Sequence, residues 1–315
     1  MSTLALLFPG QGSQTVGMYA DFYEEFGCVR DTFAEASDAI GLDIYKLIQD
    51  GPADELNRTE NTQPALLTCS IAAFRAASEL GLPQASFHAG HSLGEWSALV
   101  ASQVVAFADA VRLVKRRGQY MQEAVPEGKG AMAAIIGLDD ESIEAICAAK
   151  SSGAEIVSPV NYNSPGQLVI AGTKAAVENA VAACSDKGAK RALMLPVSAP
   201  FHTSLMRPAA DRLAEDMQAV SFRDPLVPIV HNVHANTETD GAAIRDLMIQ
   251  QIYSPVRWVD CVTALADKGV EAAAECGPGK VLSGLVKRID KSINCHAFTT
   301  ATALREGVAS HQDQE

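Results

Sequence analysis

The chain has 315 residues, enough to bury one large core or two modest ones. Its composition, 48% hydrophobic and 20% charged, is that of an ordinary globular protein, and 25 basic against 38 acidic residues give a net charge of −13. That charge argues against nucleic acid as a bulk partner, and no run approaches the roughly 20 apolar residues a membrane helix requires.

The start, MSTLALLFPGQGSQ, has no basic leader, and its short apolar run at 4–8 reads as a first strand closed by a tight turn rather than a signal peptide. Apolar residues at helical spacing predict a helix over 21–40 and a long Ala-rich one over 62–80. A strand at 86–90 and helices at 93–105 and 108–125 follow. This alternation predicts an α/β fold with a largely parallel sheet. The character changes between 128 and 198. There a strand from 130, a helix from 140, a hairpin turning at Ser164-Pro165-Gly166, a helix from 174 and a strand over 189–198 give the order β-α-β-β-α-β, that of a ferredoxin-like unit. Alternation then resumes with a helix near 204–219, a strand at 226–233, helices near 241–252 and 259–268, a strand at 270–276, a helix at 279–289 and a last strand near 294–300. The tail from about 305 reads as frayed. The expected architecture is a large α/β-hydrolase-like domain, residues 1–127 and 199–315, interrupted by a ferredoxin-like insert at 128–198.

The seven cysteines (Cys28, Cys69, Cys147, Cys184, Cys261, Cys276 and Cys295) are odd in number, scattered and never spaced C-x-x-C. Disulfides and a thiolate zinc site are therefore not expected, and a reducing cytoplasm is.

The pentapeptide GHSLG at 90–94 carries the sharpest chemical signal. A serine at a strand-to-helix turn is held with its Oγ outside the sheet, flanking glycines let the chains approach, and the helix N-terminus offers N–H groups to an oxyanion. Ser92 sits in that context. S-L-G-E also resembles a helix capping box through Glu95, but capping gives no reason for both glycines. Serine needs a base, and histidine is the usual one. His311 lies in the polar tail, His88 has the strand parity of a buried structural residue, and His91 adjoins the serine at a sharp elbow. His202, His231, His234 and His296 remain, with His202 favoured by its place where Pro200 ends a strand and a helix opens at the domain junction. None of the acidic residues between 92 and 202 sits at a strand end, so a Ser–His dyad without a third carboxylate is expected. On the helix over 108–125, Arg117 lies beside Val114 and Met121 on the apolar face, whereas Arg116 joins Arg112, Gln119 and Glu123 on the polar one. An inward arginine needs an anion.

Together these segments resemble the malonyl-CoA:acyl carrier protein transacylases of bacterial fatty acid synthesis and the acyltransferase domains related to them. The resemblance rests on FPGQGSQ (8–14), GHSLGEWSAL (90–99), KRRGQYMQEAVPEGKGAMAAIIGL (115–138), NYNSPGQLVIAG (161–172), LPVSAPFHTSLMRPA (195–209), QIYSPVRW (251–258) and ECGPGKVLSGLVKRI (275–289). It implies Ser92 as the acyl-accepting nucleophile, His202 as its base, and a main-chain carbonyl near Gln251 as the group orienting His202. It implies Gln11 and Leu93 as backbone oxyanion donors and Arg117 as the grip on the free carboxylate of the malonyl group, which suits a bidentate guanidinium. Asn161 falls within a shared motif. Phe201 resembles the residue of malonyl-selective members, leaving little room for an α-methyl branch; a methyl group carries about 1–3 kcal/mol, a preference only.

The resemblance further implies a monomer without cofactor, with malonyl-CoA and the phosphopantetheine thiol of acyl carrier protein entering as substrates. Because such carriers are acidic, this acidic chain needs a local basic surface; the candidates are Lys187, Lys190, Arg191, Lys280, Lys287 and Arg288. The competing readings are the transacylase subunit of a malonate decarboxylase, a serine thioesterase or hydrolase, and a non-catalytic docking module.

Overall fold

The computed structural model describes residues 3–197 and 199–312. It is a mixed α/β structure with two separate sheets. Six strands form the first: β1 (Thr3–Phe8), β2 (Phe87–Gly90), β7 (Ile229–Val230), β8 (Thr237–Glu238), β9 (Val270–Glu275) and β10 (Asn294–Ala297), in the order β10-β9-β1-β2-β7-β8. All neighbours run parallel except β7 and β8. Four antiparallel strands form the second: β3 (Gly130–Ile136), β4 (Val157–Ser164), β5 (Gln167–Thr173) and β6 (Arg191–Met194), in the order β4-β5-β3-β6.

Both faces of the parallel sheet are covered, as its hydrophobic strands require. Leu4, Leu6 and Phe8 of β1 enter the large core built on helices Thr59–Glu79 and Phe107–Glu123, while Ala5 and Leu7 pack on the opposite side with Trp258, Val262 and Leu285. The antiparallel sheet divides its residues in the same way. Ala131, Ala133 and Ile135 face helices Asp140–Lys150 and Lys174–Asp186, whereas Met132, Val160, Val169 and Ala171 join the large core. The second sheet thus leans on the first unit through one face, leaving a cleft along its flank.

Several boundaries differ from expectation. The segment at 21–40 is two helices, Ala20–Glu25 and Gly27–Ile40, separated at extended Phe26. Helices Ile44–Asp50 and Ala53–Asn57 lacked a periodic signal because each is under two turns long. The strand expected over 226–233 is reduced to two residues, and the one over 189–198 to Arg191–Met194; Ser198, and with it the expected domain boundary, lies outside the described residues. Up to Gln312 the tail is not frayed: Ala301–Gln312 is a helix that buries Leu304, Val308 and His311. The expected chain ends, Met1 and Glu315, also lie outside the described residues.

Candidate active site

The carboxyl ends of adjacent parallel strands β1 and β2 open into one crevice, the usual ligand position in such sheets. After β1 the chain runs into PGQGS; after β2 it turns within two residues into helix Leu93–Ala101. These two turns touch backbone to backbone. A Cβ on Gly90 would lie 2.0 Å from the Gly94 carbonyl carbon, and one on Gly94 would lie 1.9 Å from the Phe8 carbonyl oxygen. Only glycine permits that approach, which explains both glycines of GHSLG. Ser92 at the apex has φ 52° and ψ −106°, a conformation rarely held by a non-glycine residue. Asn232, just beyond β7, secures the apex: its Oδ1 accepts from the Ser92 N–H at 2.8 Å and its Nδ2 donates to the Gly90 carbonyl at 2.8 Å.

The Ser92 side chain does not cap its helix. Its Oγ lies 2.7 Å from His202 Nε2, and His202 Nδ1 lies 2.8 Å from the Gln251 carbonyl oxygen. A carbonyl can only accept, so Nδ1 carries the proton and Nε2 presents its lone pair to the serine hydroxyl. This is a Ser–His dyad oriented by a main-chain carbonyl. The other histidines are engaged elsewhere. His231 pairs with Glu95, His234 with Glu238, His296 packs on His311, and His88 bonds Ser102. His91 points away from its neighbour toward Asn163, with 2.8 Å between Nε2 and Oδ1.

Burial, reinforced by the positive charge of Arg117, pushes the His202 pKa down to about 3. The imidazole therefore stays an uncharged base as pH falls through 6.5, where a free histidine would protonate. The expected result is a kcat/KM for enzyme acylation with no acid limb at 6.5 between pH 8 and 5; a limb at the free-histidine value would contradict it. The unfolded chain protonates this histidine below about 6.5, whereas the folded chain does not until about 3. Its contribution to stability is thus present above 6.5 and lost as pH falls across that interval.

Arg117 is fully buried on helix Phe107–Glu123, as its position on the apolar face predicted, while Arg116 is exposed and pairs with Asp216. The partners of the Arg117 guanidinium are neutral oxygens. Nη1 donates to Gln63 Oε1 at 2.9 Å, Nη2 to Gln251 Oε1 at 3.0 Å, and Nη2 lies 3.4 Å from Ser92 Oγ. Among the described residues no carboxylate pairs with it, and its Nε has no partner. Burial lowers its pKa to about 10, opposed by the charge of Glu95, so it remains a cation at neutral pH.

A cleft of about 580 Å³ opens over Ser92 and His202, lined also by residues that include Gln11, His91, Met132, Asn161 and Phe201. Phe201 is buried in its wall, and Gln11 is held by a 3.2 Å bond from Gln63 Nε2. Leu93 is the first residue of the helix after Ser92, so its N–H precedes the intrahelical ladder. Of the six basic candidates, Lys190 and Arg288 share a second depression, between the antiparallel sheet and helix Val281–Ile289. Two buried residues that hold Arg117 and the serine turn, Gln63 and Asn232, were not among the sequence candidates, and His231, weighed there as a base, pairs with Glu95 instead. A glutamine inside the otherwise apolar run TQPALL was the one available hint.

The chain matches the acyl transferase domain family over residues 5–310. It is 56% identical over 304 residues to the malonyl CoA-acyl carrier protein transacylase of Escherichia coli K12, covering 96% of this chain and 98% of that one. It is 43% identical to the protein of that name from Bacillus subtilis, covering 100% and 99% of the two chains. An acyl carrier protein S-malonyltransferase structure from Vibrio cholerae superposes with a TM-score of 0.94 at 53% identity, covering 97% of this chain and 99% of that one. A malonyl-transacylase solved in complex with its type II PKS acyl-carrier protein gives 0.96 at 51% identity, covering 98% and 100%. With Ser92 and His202 lining one cleft, the buried Arg117 beside them, and these likenesses along nearly its whole length, the chain belongs to the acyl transferase domain family, among its malonyl CoA-acyl carrier protein transacylases.

Proposed function

We propose that the chain transfers malonyl from malonyl-CoA to the phosphopantetheine thiol of acyl carrier protein through a malonyl-serine. The observation that carries this reading is the buried Arg117, a cation without a carboxylate partner among the described residues, 3.4 Å from the Ser92 hydroxyl. An acyl group ending in a carboxylate supplies the missing anion. His202 Nε2 takes the Ser92 proton as Oγ attacks the thioester carbonyl, and the backbone N–H groups of Gln11 and Leu93 receive the oxyanion. The tetrahedral intermediate collapses, the C–S bond breaks, and CoA leaves with the proton from His202. The carrier thiol then attacks the malonyl-serine; His202 takes its proton and returns it to Ser92 Oγ as the ester bond breaks. Every step uses groups of this chain and of the two substrates, so no metal or redox cofactor enters. Phe201 narrows the cleft against a branched acyl group. Gln251 orients the base through its carbonyl.

The segment at 128–198 is read as an inserted ferredoxin-like domain, because the strand order β6-β3-β5-β4 places its first strand between its third and fourth. The parallel sheet with its serine elbow is read as an α/β-hydrolase-like domain, residues 1–127 and 199–315. The enzyme is read as a cytoplasmic monomer, since one chain supplies every group of the site; no helix among the described residues is long and apolar enough to cross a membrane. The carrier is proposed to dock across the basic residues Lys187, Lys190, Arg191, Lys280, Lys287 and Arg288, of which Lys190 and Arg288 converge.

Intact mass spectrometry after mixing with malonyl-CoA tests the whole reading. A malonyl adduct is expected, and carrier protein should discharge it onto its own thiol. Charge reversal at Lys190 and Arg288 should slow discharge about tenfold and leave loading unchanged. An adduct released as free malonate, indifferent to the carrier, would instead identify a hydrolase.

A further inference from the structure

One buried carboxylate near the dyad takes no part in the steps of acyl transfer. Glu95 sits in the first turn of helix Leu93–Ala101, three residues after the nucleophile, and is 1% exposed. Both of its oxygens accept from N–H donors. Oε1 lies 2.7 Å from His231 Nδ1; Oε2 accepts from Gln251 Nε2 at 2.7 Å and from the Asn232 N–H at 3.3 Å. An acceptor on this side dictates which way the Gln251 amide turns, because only its NH₂ end can face the carboxylate. Nε2 also donates to the Ser92 carbonyl at 2.9 Å, which strengthens the same choice. The oxygen end is then left to face Arg117 Nη2.

We propose that Glu95 is a positioning residue for substrate selection: through the amide of Gln251 it aims the Arg117 guanidinium toward the acyl group on Ser92. The inference rests on the reading of Arg117 as the grip on the malonyl carboxylate. Its physical logic is the interposed amide. A carboxylate touching Arg117 directly would occupy the guanidinium fork and compete with the substrate. Set one amide away, Glu95 favours the charged form of the arginine against the effect of burial, and puts no carboxylate on the guanidinium itself. Gln63 holds Nη1 in the same neutral manner. His231 anchors the other carboxylate oxygen, so the relay runs from His231 through Glu95 and Gln251 to Arg117. The base is insulated from this relay, since His202 bonds the main-chain carbonyl of Gln251 and not its side chain.

That separation makes the proposal testable. Acyl-enzyme formation would be followed at subsaturating malonyl-CoA and acetyl-CoA for the wild type, Glu95→Gln, Gln251→Met, Glu95→Asp and Arg117→Ala, with thermal unfolding of each. The Glu95→Gln side chain would offer one donor and one acceptor where two acceptors are needed, so the Gln251 amide loses its enforced orientation. Glu95→Gln should reduce the malonyl-to-acetyl rate ratio about tenfold or more, with the acetyl rate within about twofold of wild type; Gln251→Met, which also removes the bond to the Ser92 carbonyl, should lower the same ratio as far whatever its effect on the acetyl rate. Glu95→Asp, which keeps the charge, should recover part of the ratio. Equal loss on both substrates would show that Glu95 merely supports packing, and an unchanged ratio would equally overturn the relay. Should Glu95→Gln fail to fold, Gln251→Met decides the matter alone. If Arg117→Ala itself leaves the ratio unchanged, the underlying reading of the arginine fails; if only Arg117→Ala lowers it, the relay fails and that reading stands.

Discussion

Ser92→Ala is expected to abolish the malonyl-enzyme and to lower transfer by ~10⁴-fold or more, because Ser92 Oγ is the hydroxyl that His202 Nε2 meets among the described residues. Among the described residues the hydroxyl has two hydrogen-bonding neighbours, His202 Nε2 at 2.7 Å and Arg117 Nη2 at 3.4 Å. Its removal leaves the base without a proton to take, while the Asn232 bonds that set the elbow involve only main-chain atoms of Ser92 and Gly90. The variant should therefore fold and still bind malonyl-CoA through Arg117. Intact mass after incubation with malonyl-CoA is the check, and a retained adduct would remove Ser92 from the mechanism.

Arg117→Ala should change the cargo rather than the chemistry. The dyad remains, so an acyl-enzyme still forms, but the preference for malonyl over acetyl should fall by about two orders of magnitude, as expected for losing a buried charge-assisted contact. Gln63 and Gln251 would each lose a donor, so some loss of stability accompanies the change. A second effect follows from the arginine's charge. It is one of the causes that depress His202, so its loss should raise the pKa of the base and move the acid limb of acylation upward in pH. Competition between malonyl-CoA and acetyl-CoA, read as the ratio of adduct masses, measures the first effect; a pH profile with acetyl-CoA measures the second. Unchanged selectivity would reject the assigned role.

What the sequence disclosed here was set by how local each signal is. The elbow was legible because its two glycines and its strand-to-helix context lie within a few residues, and each glycine answers a steric demand now visible at Phe8 and Gly94. Arg117 was legible because helical periodicity alone separates it from exposed Arg116. The β-α-β-β-α-β order was legible from alternation and one hairpin turn. By contrast, Glu95 resembled a capping residue because its partners, His231, Asn232 and Gln251, come from 136 to 156 positions away and no local pattern reports them. His311 read as a tail residue for the same reason: its helix is polar on average and is fixed by distant contacts with His296 and Phe298. The strand at Ile229–Val230 was overextended because Pro228 and the buried pair His231–Asn232, which serves the elbow, cut the ladder short.

The arrangement of β1 also bears on how the enzyme comes into being. β1 is paired on one side by β2 and on the other by β9, whose residues lie at 270–275. The nucleophile likewise waits 110 positions for its base and 159 for Gln251. A growing chain that has emerged as far as the antiparallel sheet holds the serine but has neither the base nor the flanking strand. On the proposed mechanism such a chain lacks the base that acylation requires, and the site is complete only when Gln251 and β9 have joined it.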